Sequence, residues 1–82
     1  MIERFIEDAK AAHKQVRENL ALIELELSHA IRGSFSWDVN RNNQAYFRGV
    51  LAGIEETAEL ILGREKMEEV FGIEPDAGLV PV

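Results

Sequence analysis

Apolar positions between Ile2 and Ile31 recur at alternating intervals of three and four, without a proline or glycine to interrupt them. The series is Ile2, Ile6, Ala9, His13, Val16, Leu20, Ile23, Leu27 and Ala30, with His13 as its polar member. That alternation marks one stripe of an α-helix packing lengthwise on another helix. Glu3, Glu7 and Asp8 stand in the first turns, where the helix dipole favours acids. The pattern predicts a first helix over about 2–32, roughly 45 Å long, closed by Gly33 beyond its end.

A second stripe runs through Phe47, Leu51, Ile54, Ala58 and Ile61, widened by Tyr46, Val50 and Leu62. It predicts a second helix over about 39–62, with Asp38 or Asn40 as N-cap. The connector, 33–38, holds Phe35 and Trp37 and is short enough to make the two helices antiparallel neighbours. Gly63 is a weak breaker, so the helix continues or restarts over 64–71. Gly72, Ile73 and Pro75 read as a cap with its apolar contact and a stop. Residues 1–72 are thus expected to form a helical hairpin and 73–82 an extended tail, with Leu79, Val80 and Val82 available to rest on it.

The apolar inventory exceeds what a hairpin needs. Phe5, Leu22, Leu25 and Ile31 fall off the first stripe, and leaving such side chains in water forfeits about 1.5–3 kcal/mol each. An 82-residue chain with no cysteine has no disulfide to compensate for a small core. The expected fold is therefore all-α: an antiparallel two-helix, coiled-coil-like hairpin closing a four-helix bundle or larger assembly as a homo-oligomer, a homodimer being the simplest. Otherwise, segment 67–71 and the tail would have to cover the surplus. Gly49 and Gly53, with Ala45 and Ala52, suggest a close helix crossing or a contact surface. Leu22, Leu25, Gly49, Ala52 and Gly53 are the candidate oligomer or partner face.

Charge changes the picture at the turn. The net charge is −6, which disfavours binding a nucleic-acid backbone. Yet between His29 and Ile54 three arginines, Arg32, Arg41 and Arg48, stand against one acid, Asp38. This basic island also holds aromatics and amides, the composition of interaction surfaces. Arg32, Trp37, Asn40, Arg41, Asn43, Tyr46 and Arg48 are accordingly the candidate binding residues, for a protein or for a small anion such as a nucleotide.

Catalytic chemistry finds little to use. Glu26 and His29 have the Glu-x-x-His spacing of di-iron bundles, but Glu26 lies off the stripe and the hairpin offers no inward carboxylates at its depth. His13, on the stripe, is expected to fix register beside Glu59. No phosphate loop, nucleophile elbow or metal-spaced cluster occurs, and neither histidine is placed to serve a serine. The sequence points to a non-enzyme needing no metal or cofactor. The expected role is a small acidic interaction module that binds, and regulates or inhibits, a larger protein, its acidic faces conceivable as a nucleic-acid mimic. Without a leader peptide pattern, a membrane-length apolar run or cysteine, the expected setting is the cytoplasm.

Overall fold

The structure, a computed structural model, describes residues 1–73 and is all-helical there, with no strand. Helix α1 spans Ile2–His29, α2 spans Phe35–Leu62 and α3 spans Arg64–Phe71. The helices α1 and α2 form the hairpin, and α3 packs against both. Of the tail expected over 73–82, all but Ile73, including Leu79, Val80 and Val82, lies outside the described residues. No described helix is long and apolar enough to cross a membrane.

The turn sits about four residues earlier than the sequence pattern suggested. The first helix ends at His29, with the extended Ala30 capping it through a hydrogen bond from its N–H to the Glu26 carbonyl. The second starts at Phe35, not 39. Ser34 is its N-cap, and the Ser34 hydroxyl accepts from the Trp37 backbone N–H at 3.2 Å. That bond satisfies an otherwise orphaned amide of the first turn. It displaces Asp38 and Asn40 from the capping role, and Gly33 (φ +84°) serves inside the turn rather than at the helix end.

Starting α2 earlier extends its inward stripe backwards. Asn40 and Gln44 precede Phe47 at helical spacing, and Asn40 is buried. The buried core proper is small: Val16, Leu20, Ile23, Ala58, Met67 and Phe71. At the far end the strict three-four series overshoots. Ile61 is exposed while its neighbour Leu62 turns inward, the drift expected when a 3.5-residue repeat is laid on a 3.6-residue helix.

Gly63 separates α2 from α3 at φ 87°, ψ 158°, a region of backbone space open essentially to glycine alone. The reversal folds α3 back across the open end of the hairpin. There Ala58, Met67 and Phe71 form a cluster joined by Phe5, Ala9, Ile54, Leu62, Val70 and Ile73. Gly72, left-handed at φ 69°, ends α3 with its N–H on the Glu69 carbonyl and the Ile73 N–H on that of Glu68. This is the paired-bond cap with its apolar contact. Phe5, surplus to the first stripe, is therefore covered by α3. Leu22, Leu25 and Ile31 are not.

Candidate interaction site

Three regions carry the polar chemistry and the exposed apolar surface. At the open end, His13 is buried on α1, its Nε2 3.2 Å from Glu55 Oε2 on α2 and its ring stacked on Phe71 of α3. The partner is Glu55, one turn before the Glu59 the sequence suggested, because the earlier turn slides α2 by about one turn relative to α1. Glu59 instead faces Arg64 at 4.0 Å. Arg64 Nε also donates to the buried Glu68 at 3.0 Å. Among the described residues no three of His, Asp and Glu converge as a metal site would require.

A groove of about 620 Å³ opens beside His13, with Val70 and Phe71 among its apolar lining and Lys10, Lys14 and Arg17 around it. The three cations follow one side of α1 at i, i+4 and i+7. The densest cationic groove thus lies at the open end, where a run of α1 sequence flanked by acids gave no sign of it. The docking of α3 creates it.

At the tip the expected binding residues take different settings. Arg41 lies over the Trp37 ring, 5.2 Å from its centroid, a cation–π contact that holds the guanidinium along the helix. Asn40 is buried and donates to the Ser36 carbonyl at 2.9 Å, so it completes the helix stripe and is not presented for binding. Arg32, Asn43 and Arg48 are exposed. Tyr46 is exposed on the outer side of α2, edge-on to Phe47 at 5.3 Å. The expected binding residues are therefore divided between a Trp37–Arg41 pair, an outward tyrosine and separate arginines.

The third region is apolar. Leu22 and Leu25 are 61% and 56% exposed on the outer side of α1. Along α2, Phe35, Val39, Asn42, Tyr46, Gly49, Gly53, Glu56 and Leu60 repeat at strict four-three spacing, a second stripe beside the packed one. Phe35, Tyr46 and Leu60 on it are 84%, 66% and 88% exposed. Sequence reasoning missed this stripe because amides, glycines and an acid interrupt it; the signal was the heptad spacing of Val39, Tyr46, Gly53 and Leu60. Among the described residues, Gly49 and Gly53 have no neighbour within 4 Å of where a Cβ would stand, so no tight backbone contact there accounts for them. Phe5, Ala9, Ala12, Val50, Gly53 and Ile54 line an adjoining groove of about 500 Å³ that no α3 residue enters.

Comparisons with family models, curated proteins and solved structures give no match to this chain.

Proposed function

We propose that the chain is a non-enzymatic interaction module, a helical hairpin that assembles with itself and docks on a larger protein. The observation that carries this reading is the mismatch between core and surface. Among the described residues six apolar side chains are buried, yet Leu22, Leu25, Ile31, Phe35, Tyr46, Leu60 and Ile61 lie exposed. So many exposed large apolar side chains beside so small a core support a role in interaction. The histidines support the same reading: His13 is engaged by Glu55 and Phe71, and His29 is exposed with no charged partner among the described residues. Mimicry of nucleic acid gains no support from the acids, since Glu55 and Glu68 face inward and Glu59 and Glu69 lie beside Arg64 and Lys66.

Light scattering on the purified chain, followed by capture of partners with native, Leu22→Lys/Leu25→Lys and Arg41→Glu proteins, tests it. An oligomer whose partner is lost from one of the variants is the expected result. A strict monomer that captures nothing ends the reading.

A second reading, a binder of small anions, is favoured by the open-end groove, where Lys10, Lys14 and Arg17 outnumber Glu18 around an apolar floor. Such a site suits an anion with an apolar body. A thermal-shift series of nucleotides, inorganic phosphate and aryl carboxylates checks it, and the absence of any rise in Tm removes it.

A further inference from the structure

We infer that the outer stripe of α2 is an antiparallel interface with the α2 of a second copy. This rests on the proposed self-assembly and specifies its surface and geometry. The stripe's spacing is symmetric about its midpoint, so it can pair with a reversed copy of itself. With the twofold axis between Phe47 and Arg48, Phe35 of one copy stands level with Leu60 of the other. Val39 then meets Glu56, Asn42 meets Gly53, and Tyr46 meets Gly49. The most exposed large side chains of the stripe close the two ends of the contact. At its centre each tyrosine faces a glycine, beside whose Cβ position no described residue lies within 4 Å.

Charge sets the direction. The first half of α2 carries Arg41 and Arg48 against Asp38, while the second half has only acids, of which Glu56 is exposed on the stripe and Glu55 and Glu59 face His13 and Arg64. Antiparallel pairing lays the basic half of each helix along the acidic half of the other, with Arg41 within one turn of Glu56. Parallel pairing would stack Glu56 on Glu56 and Tyr46 on Tyr46, and would align the two helix dipoles. The surface is sufficient. Phe35, Val39, Tyr46, Leu60 and Ile61 together expose on the order of 600 Å². The adjoining groove, reached through Val50 and Gly53, brings the patch towards the roughly 800 Å² per partner of a standard interface.

The chain has no cysteine, so single cysteines report directly. Phe35→Cys and Leu60→Cys proteins, mixed and oxidised, are expected to form the mixed disulfide, with little cross-linking of either variant alone. Gly49→Leu/Gly53→Leu is the second test, because leucine suits a helix better than glycine and its Cβ has no neighbour within 4 Å among the described residues. It is expected to weaken association at least about tenfold while helicity stays equal or rises. A lost dimer with raised helicity separates an interface role from a folding defect. A monomer at all concentrations overturns both this interface and the self-assembly it rests on. An oligomer in which the Phe35→Cys protein cross-links to itself, the mixture fails to cross-link, or both leucines are tolerated overturns this interface alone and leaves the interaction reading standing.

Discussion

The imidazole of His13 lies flat against the ring of Phe71, with centroids 4.1 Å apart and planes 10° from parallel. Glu55 holds the same imidazole from the other helix of the hairpin, so one side chain touches all three helices. Truncating Phe71 to alanine removes the stack and leaves a void among Phe5, Ala58 and Met67. The expected loss is about 3 kcal/mol, the lower end for a core phenylalanine because this core is shallow. Denaturant unfolding should show it, and far-UV circular dichroism should show the helicity of α3 falling with it.

The His13–Glu55 bond closes across the hairpin with Glu55 partly open to solvent. A double-mutant cycle with His13→Gln and Glu55→Gln is expected to give a coupling of about 0.5–1.5 kcal/mol, the net value of an ordinary hydrogen bond. A coupling near zero in denaturant titrations would mean that shape, not the bond, retains the histidine.

The turn has two competing caps in sequence and one in structure. Ser34→Ala is expected to cost about 1 kcal/mol through the lost bond to the Trp37 amide. Asp38→Ala, already inside the helix, should cost at most about 0.5 kcal/mol through the dipole. Nearly equal chemical denaturation curves for Asp38→Ala and the native chain, beside a shifted curve for Ser34→Ala, are the expected outcome. The reverse order would restore the start of α2 to residue 39.

Gly63 is a sharper test of the third helix. Alanine there either strains the backbone, at about 1–3 kcal/mol, or joins α2 and α3 into one continuous helix. The joined helix carries Phe71 away from His13, and it is the expected outcome because it relieves the strain. Proton NMR of Gly63→Ala should therefore show the imidazole protons of His13 losing the ring-current shift that stacking gives them.

How far the sequence led can be told from these residues. The two inward stripes were legible, because a strict three-four spacing sustained over several turns has one reading. Position 13 was legible as a register histidine for the same reason. Its partner was not, because Gly33 and Asp38 look like better boundaries than Ser34 followed by two aromatics. A hydroxyl and one backbone amide, 3.2 Å apart, outweighed that local preference and moved every level on α2. Asn40 followed: counted from residue 39 it looked like part of a polar turn, and counted from 35 it falls in the packed stripe. The docking of α3 depended on a backbone conformation at Gly63 that composition does not encode. Its consequence, the cationic groove beside Phe71, was equally hidden. The outer stripe of α2 escaped notice because its spacing is regular while its residue types are mixed.

The five residues between α1 and α2 also imply an order of events. Contacts beside the turn close short loops, whereas His13 and Glu55 are 42 positions apart in the chain, and loop closure costs more as loops lengthen. Folding should run as a zipper that starts at the Ser34 cap and travels away from it, with α3 latching last. Opening then runs in reverse, and native-state hydrogen exchange should find the amides around Phe71 released well before those of Leu20 and Ile23. The end that carries the histidine and the cationic groove is thereby the end that breathes.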